Sequence, residues 1–247
     1  MENAQLITLS RITALERQMN VVANNVANIN TTGFKAQELL FEEYLSPTAS
    51  AEEFEFTDRD VRFVLDYQSV SNFGDGPLQP TSNQLDVAIK GEGFFVVQTP
   101  NGERYTRDGS FTLDPQGQLV TSEGFLVQGD GGPIVFGPDD TDITITGEGA
   151  VSTQNGEIGR LQIVQFENNQ ELRRIGRNLY EGEDAQPLET PRLSQFALEG
   201  ANVDPITGIS RMIEIQRSYQ ELSNIMRQQN DLREQAIREL GRVEVNA

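Results

Sequence analysis

The chain has 247 residues, of which 19 are basic and 38 acidic, and its formal net charge of −19 repels nucleic acid and anionic lipid surfaces. It contains no cysteine and no histidine, which excludes thiol chemistry, imidazole general-base catalysis and the common zinc sites. We therefore expect no nucleic-acid partner. The length is enough for one large domain or two smaller ones.

The segment MENAQLITLSRITALERQM at the start has neither a basic n-region nor an uninterrupted apolar run. We therefore predict that it is not a secretory signal peptide. No stretch of the sequence approaches transmembrane length, so we also predict no insertion into a membrane. This pattern suits a cytoplasmic protein, and an exported protein that uses a leaderless route would show the same pattern.

Glycine and proline divide the chain into three parts. Residues 76–200 hold 18 of the 22 glycines and 8 of the 10 prolines, whereas Glu2–Thr32 and Ile209–Leu240 contain neither. Both terminal runs are predicted to be helices, because glycine and proline are the residues that most disfavour helix interiors. Asp204 and Pro205 provide an N-cap and a first-turn proline for the second helix, and Gly33 suits the end of the first.

Both predicted helices carry one apolar seam, with residues alternating at steps of three and four. The first seam consists of Ile12, Leu15, Met19, Val22, Val26 and Ile29. The second consists of Met212, Ile215, Tyr219, Leu222, Met226 and Gln229, and continues through Arg233, Ala236, Leu240 and Val243. A single amphipathic stretch usually packs on its own domain. Two long seams at opposite chain ends favour a helix–helix assembly instead.

The middle of the chain is predicted to form an antiparallel β domain over residues 76–200. Turn residues such as Asp108-Gly109 and Glu123-Gly124 separate short apolar segments, and no helix-length connection lies between them. The segments are QLDVAI, GFFVVQT, ERYTR, SFTLD, QLVTS, GFLVQ, DITITG and LQIVQFE. Residues 35–75 form a mixed linking segment, in which AQELLFEEYL could continue as helix and AEEFEFTDRD resembles a surface loop.

The search for catalytic or ligand-binding motifs is negative. Gly91-Glu92-Gly93-Phe94 precedes a strand and not a helix, so it is not a phosphate loop. The acidic residues Asp58, Asp60, Asp139, Asp140 and Asp142 lack the glycine and terminal glutamate of an EF-hand loop. Carboxylate pairs of the kind that hydrolyse glycosides arise by composition alone in so acidic a chain. We expect no catalytic residue, no cofactor and no metal.

Three segments resemble the bacterial flagellar rod and hook protein family. Residues 14–36, ALERQMNVVANNVANINTTGFKA, are similar to its N-terminal signature, an asparagine-rich ANN-ϕ-AN segment followed by Thr/Ser-Gly-Phe-Lys. DVAIKGEGFFVV, YTRDGSFTLD and LVTSEGFLVQG resemble its central β domain, and ANVDPITGISRMIEIQRSYQ resembles its C-terminal segment. Within the family, the start MENA, the segment FKAQELLFEEYL and the modest length are most similar to the proximal-rod member.

The resemblance implies an α+β fold in which helices from residues 1–34 and 201–247 pair as a coiled-coil-like helical domain beside the central β domain. It implies a non-enzymatic subunit that leaves through the flagellar export apparatus without a cleaved signal. Copies of this subunit and other rod subunits, proximal and distal, would then polymerise into a rigid periplasmic shaft that transmits motor torque. The β domain would face outward from the inner tube of helices.

The predicted subunit interface combines the seams with the signature segment. Besides the seam residues from Ile12 to Gln229, it includes Asn24, Asn25, Asn28, Gly33 and Phe34. Asparagine disfavours helices, but its side chain both donates and accepts hydrogen bonds, so it could fix the register between neighbouring subunits. Asn30 suits a helix end. The alternatives are a distal-rod subunit and, from another class, a secreted carbohydrate- or calcium-binding β domain with helical arms.

Overall fold

The N-terminal helix is shorter than the run without glycine and proline allows. The structure, a computed structural model, describes residues 2–46 and 61–243, with side chains described over 8–40 and 69–239. Helix α1 spans Glu2–Ala27, and the next residues form a turn in which the backbone N–H of Thr31 donates to the carbonyl of Asn28 at 3.0 Å. Asparagine and threonine are poor helix formers, which accounts for the early end of α1.

The C-terminal helix α2 spans Pro205–Val243 and begins with the predicted cap. The Asp204 carboxylate accepts from the backbone N–H of Ile206 at 3.0 Å and from the Thr207 hydroxyl at 2.6 Å. These bonds satisfy groups that have no partner within the first turn of a helix. Pro205 occupies the first helical position, where its missing N–H has no cost.

Short strands make up the remainder of the described chain. They are β1 (Gln37–Ser46), β2 (Val61–Ser71), β3 (Leu78–Pro80), β4 (Val87–Ile89), β5 (Phe94–Thr99), β6 (Gly102–Thr106), β7 (Phe111–Leu113), β8 (Leu119–Thr121), β9 (Leu126–Gly129), β10 (Gly132–Pro133), β11 (Thr144–Ile145), β12 (Ala150–Thr153), β13 (Gly156–Arg160), β14 (Ile163–Gln165), β15 (Arg173–Gly176), β16 (Leu179–Glu181), β17 (Gln186–Pro187), β18 (Leu193–Gln195) and β19 (Ala197–Glu199). Each of the eight predicted β segments overlaps one of these strands.

The largest sheet has ten strands, and its main path runs β15-β16-β6-β5-β9-β8-β7. Strand β5 is central, pairing with β6, β9 and β14, and all these pairings are antiparallel. Smaller sheets pair β11-β12-β13, β18-β4 and β19-β3. The predicted α+β class with a central antiparallel β region is confirmed.

The side chains of β5 alternate between two apolar cores, as the period of a strand requires. Phe95 and Val97 belong to a large aliphatic core with residues such as Val87, Leu119 and Val127. On the other face, the aromatic core consists of Phe94, Val96, Tyr105, Val164, Leu172 and Tyr180. Both faces of the sheet are therefore covered, which explains why β5 is almost continuously apolar.

The structure divides into two compact units. The first gathers the described residues of Met1–Val26, Gln37–Val70 and Asp204–Ala247. The second consists of Ala27–Ala36 and Ser71–Val203. The predicted β domain, 76–200, lies entirely within the second unit, which also includes the signature residues after Ala27.

The prediction that AQELLFEEYL could continue as helix is wrong. Its residues from Gln37 onward form strand β1, which pairs with β2. Tertiary pairing overrides helix propensity here, and the aromatic residues of the segment suit a strand. AEEFEFTDRD, with Asp58 and Asp60, lies outside the described residues. Within the described part of the chain, neither helix is long and apolar enough to cross a membrane.

We expect Asp204→Ala to lower the melting temperature of the helical circular-dichroism signal, because the first turn of α2 loses its cap. Asp204→Asn should retain most of the stability, since an amide oxygen still accepts. Asp231→Ala, which removes the same group from an exposed interior position of α2, is the matched control.

Lowering the pH should also weaken the stabilisation of α2 by the Asp204 cap. The hydrogen bonds from the Thr207 hydroxyl and the Ile206 backbone N–H lower the pKa of Asp204 below its ordinary value. The stabilisation of the folded state by this cap is therefore fully present above the pKa that Asp204 has in the unfolded chain. It disappears as the pH falls through the lower pKa that Asp204 has in the folded chain. An equal melting temperature for Asp204→Ala and the parent at neutral pH would contradict the capping role.

Candidate functional site

Gly33 of the signature lies directly against the backbone of the second unit. Its N–H donates to the carbonyl of Glu199 at 2.8 Å. A Cβ at this position would lie 2.5 Å from both the carbonyl carbon of Arg107 and the amide nitrogen of Asp108. Its φ of +64° is also in the left-handed region. Both the close approach and the conformation require glycine.

Lys35 of the signature is buried in a charge cluster that it forms with Arg107 and Glu199. The Lys35 Nζ donates to Glu199 Oε1 at 2.6 Å and to the carbonyl of Gly74 at 2.8 Å, with both charged side chains only 1% exposed. Arg107 Nη1 lies 3.5 Å from the other oxygen, Glu199 Oε2. The backbone N–H of Gly76 donates to Glu199 Oε1 at 2.9 Å. The Glu199 carboxylate is therefore the counterion of both Lys35 and Arg107.

The electrostatics of this cluster depend on Glu199. Burial lowers the pKa of Lys35, and the nearby Glu199 carboxylate opposes that shift. Burial likewise lowers the pKa of Arg107, again opposed by Glu199. Two buried cations without this carboxylate would repel each other and lack compensation for lost hydration. We therefore expect the removal of Glu199 to cost more stability than the removal of either cation.

The residues on either side of Gly33 are also bound within the second unit. The ring of Phe34 has no exposed surface, and the guanidinium carbon of Arg174 lies 4.3 Å from its centroid. The Thr32 hydroxyl donates to Asp108 Oδ1 at 2.8 Å, and Asn178 Nδ2 donates to the carbonyl of Thr32 at 2.9 Å. The structure therefore accounts for Gly33 and Phe34, which we predicted at a subunit interface, by contacts inside the chain.

A second asparagine-mediated link fixes the chain after Lys35. The side chain of Asn202 accepts from the backbone N–H of Ala36 at 2.7 Å and donates to the carbonyls of Asn72 and Gly74 at 2.7 and 2.9 Å. One amide therefore satisfies three backbone groups from two separate segments. Buried or partly buried backbone groups need such partners where no strand provides them.

Among the predicted asparagines, Asn25 has a well-defined partner in its own chain. Its Oδ1 accepts from the backbone N–H of Gln37 at 2.9 Å, and its Nδ2 donates to the carbonyl of Gln37 at 2.7 Å. The side chain thus ties α1 to the start of β1 within the first unit. Asn28 Oδ1 accepts from the Thr31 hydroxyl at 3.2 Å, while Asn24 and Asn30 are exposed.

The predicted seams are the less exposed faces of both helices. On α1, Ile12 and Val22 are buried, and the seam residues Leu15, Met19 and Val26 are half-buried. Ile29, predicted as the last residue of this seam, is half-buried but lies in the turn after α1. On α2, Ile215 is buried, and Met212, Tyr219, Leu222, Met226 and Gln229 are half-buried. From Asn230 to Glu239 every residue of α2 is exposed, including the predicted seam positions Arg233 and Ala236. The last two seam positions, Leu240 and Val243, lie outside the described side chains.

The two seams meet within the first unit. The Tyr219 hydroxyl donates to Glu16 Oε1 at 3.3 Å, and a Cβ on Gly208 would lie 2.9 Å from a methyl group of Val26. A groove of about 380 Å³, the interhelical groove, is lined by residues of both helices. These are Leu15, Glu16, Met19, Asn20, Ile215, Gln216 and Tyr219.

Away from its seam, α2 exposes a second apolar face at its N-terminal end. Ile206, Ile209 and Ile213 follow helical spacing and are 76%, 49% and 45% exposed. We call them the exposed isoleucine stripe. Ile213 and Ile215 are two residues apart, which places them about 200° apart around a helix. The stripe therefore lies on a different side of α2 from Ile215, although Ile209 is one turn from the seam residue Met212.

The acidic loop that could have held calcium is organised by its own hydrogen bonds. Asp140 accepts from the backbone N–H of Gly137 at 2.6 Å, from Asn155 at 2.8 Å and from Thr153 at 3.1 Å. Among the side chains that the structure describes, those of residues 8–40 and 69–239, no group of three or more acidic residues is arranged to hold a metal ion. Asp140 therefore acts as a loop acceptor.

Three family comparisons match this chain in the order of its parts. The family described as "Flagella basal body rod protein" matches residues 6–35, and "Flagellar hook protein FlgE/F/G D1 domain" matches residues 88–153. "Flagellar basal body rod FlgEFG protein C-terminal" matches residues 194–239. The matches fall on α1 with the signature, on the β strands, and on α2 with β19.

Proteins that are similar to this chain over most of its length are also flagellar basal-body rod proteins. The flagellar basal-body rod protein FlgF of Caulobacter vibrioides is 38% identical over 98% of this chain and 100% of its own length. FlgF of Mesorhizobium japonicum is 30% identical over 98% of this chain and 99% of its own length. FlgG of Buchnera aphidicola subsp. Baizongia pistaciae is 32% identical over 89% of this chain and 93% of its own length.

For the charge cluster, we expect Glu199→Gln to reduce the free energy of unfolding by about 3–5 kcal/mol, the usual cost of breaking a buried ion pair. Lys35→Met should cost less, because Glu199 keeps Arg107 as a counterion. Urea denaturation measures both. The exposed pair of Glu234 and Arg238 provides a control, since Glu234→Gln should change little. A larger loss for Lys35→Met than for Glu199→Gln would contradict the central role of the carboxylate.

For the backbone contact, we expect Gly33→Ala to lower the free energy of unfolding by more than about 1 kcal/mol, through both the clash and the positive φ. Gly124→Ala is a matched control, because Gly124 has a φ of +84° and open space around its missing Cβ. It should show the cost of the conformation alone. If urea denaturation shows that Gly33→Ala and Gly124→Ala lose the same free energy of unfolding, a Cβ at position 33 does not clash with the backbone of Arg107.

Proposed function

The chain belongs to the flagellar basal-body rod protein family, and from this premise we propose that it polymerises with other rod subunits into the stiff periplasmic shaft that transmits torque. The observation that carries the proposal is the identity of 38% to a rod protein over essentially both full lengths. The family is structural, so the work of the subunit is to pack tightly and resist deformation. We propose no catalytic role, no cofactor and no metal.

We propose a proximal position in the rod. The FlgF relative of C. vibrioides aligns with 98% of this chain, whereas the FlgG relative of B. aphidicola aligns with 89%. This difference favours the proximal over the distal subunit. The alternative of a secreted carbohydrate- or calcium-binding domain has no supporting observation among the described residues.

We propose that α1 and α2 pair in a coiled-coil-like manner inside each subunit. Support comes from the seam residues Leu15 and Met19 of α1, which line the interhelical groove together with Ile215 and Tyr219 of α2. Alternating steps of three and four residues suit such packing. In this arrangement the seams stabilise the helical part of each subunit. We retain the proposal that seam residues with remaining exposed surface, such as Leu15, Met19 and Tyr219, also contact neighbouring subunits.

We further propose that the subunit leaves the cytoplasm through the flagellar export apparatus with α1 intact and without membrane insertion. Removal of α1 would deprive Ile215 and Tyr219 of their partners on Leu15, Glu16 and Met19. An isolated helix is marginally stable in water, so α2 would lose much of its support. The partners in the rod are other copies of this chain and the proximal and distal rod subunits.

Purified basal bodies test this function directly. We expect peptides from the first turns of α1, near Ile12, in mass spectra of the rod fraction, and density for the subunit in the proximal part of a cryo-electron reconstruction. Deletion of the gene should abolish both the rod density and motility, and a plasmid copy should restore them. Absence of the chain from intact, functional basal bodies would refute the proposal, and a distal location would favour the alternative position.

A further inference from the structure

The charge cluster of Lys35, Arg107 and Glu199 leaves buried polar atoms without a direct partner. Among the side chains that the structure describes, these atoms include Arg107 Nη1, Glu199 Oε2 and the hydroxyl of Tyr180. Arg107 Nη1 and Glu199 Oε2 lie 3.5 Å apart, beyond the roughly 2.7–3.2 Å of a direct N–H···O hydrogen bond. Both side chains are 1% exposed, and Tyr180 has no exposed surface. Buried polar groups are almost always paired in folded proteins, so these three groups need a further partner.

The three groups lie where the charge cluster meets the aromatic core. The guanidinium carbon of Arg107 is 5.0 Å from the centroid of the Phe94 ring, and the centroids of Phe94 and Tyr180 are 5.8 Å apart. Burial raises the pKa of Tyr180, and the nearby charges of Arg107 and Glu199 act on this pKa in opposite directions. The hydroxyl is therefore within electrostatic reach of both the guanidinium and the carboxylate.

The Glu199 carboxylate is held in place by its other oxygen. Oε1 accepts from Lys35 Nζ at 2.6 Å and from the backbone N–H of Gly76 at 2.9 Å. A rotation that brought Oε2 closer to Arg107 would strain both of these bonds, and one of them neutralises a buried ammonium group. A direct hydrogen bond to Arg107 would therefore weaken contacts that Glu199 already makes.

The chemistry of the unpartnered atoms decides which ligand can join them. Arg107 Nη1 and the Tyr180 hydroxyl are donors, whereas Glu199 Oε2 is an acceptor. An anion would be repelled by the carboxylate, and a cation would add to the positive charges of Lys35 and Arg107. An apolar molecule would leave all three groups unpartnered. A water molecule both accepts and donates hydrogen bonds, so it matches this set of groups.

We propose that one internal water molecule binds between Arg107, Tyr180 and Glu199 and completes the charge cluster. Its oxygen accepts from Arg107 Nη1 and from the Tyr180 hydroxyl, and the water donates to Glu199 Oε2. A water oxygen about 2.8 Å from both Nη1 and Oε2 forms a triangle with these atoms at their separation of 3.5 Å. The water links the counterion of Lys35 to Tyr180 of strand β16 within a single subunit, so this site does not depend on rod assembly.

The sign of one stability change tests the water site. We expect Tyr180→Phe to increase the equilibrium constant of unfolding about three- to tenfold in urea denaturation, because the bound water loses a hydrogen bond. If the hydroxyl had no partner, its removal would leave stability unchanged or raise it, and that result would overturn the proposal. Tyr105→Phe is the control, since it removes a hydroxyl of the same aromatic core that is not among the buried unpartnered atoms. It should leave the constant within about twofold of the parent.

A crystal structure of the full chain distinguishes a bound water from a direct contact. At a resolution that shows ordered solvent, we expect one density peak within about 2.5–3.2 Å of Arg107 Nη1, Tyr180 Oη and Glu199 Oε2. A Tyr180 hydroxyl bonded directly to Glu199 Oε2, with no peak between the three groups, would overturn the proposal. Crystals soaked in bromide test the remaining ligand class, because an anomalous peak at this position would identify an anion and would also overturn it.

Discussion

The second unit depends on one buried carboxylate. Glu199 neutralises two cations that would otherwise be buried at high cost, Lys35 from the signature and Arg107 from the chain after β6. The same residue accepts the Gly33 N–H through its carbonyl and the Gly76 N–H through its side chain. Because ion pairs in a low-dielectric interior must be well oriented, this arrangement permits one position of the signature segment and penalises others.

The apolar residues of α2 fall on two faces that differ in burial. The seam around Ile215 packs against α1, which leaves the exposed isoleucine stripe as apolar surface in the isolated chain. A soluble monomer rarely keeps several large aliphatic side chains together in water without a purpose. In the polymer that we propose, neighbouring subunits would cover this surface.

The sequence was sufficient for those features that follow from local rules. Helical periodicity identified the less exposed faces of α1 and α2, and the cap at Asp204 followed from residue type and spacing. Strand β1 was missed because its pairing with a distant partner outweighs local propensity. The charge cluster was missed because lysine and glutamate are rarely buried, so nothing in their spacing indicates that they pair.

The pairing of Lys35 with Glu199 joins residues 164 positions apart in the chain. A contact of such long range closes a large loop, whose entropic cost must be met before the contact can stabilise anything. A chain synthesised from its N-terminus therefore has Lys35 without its Glu199 partner until β19 has been made. The signature segment therefore completes its contacts in the second unit only once β19 is in place.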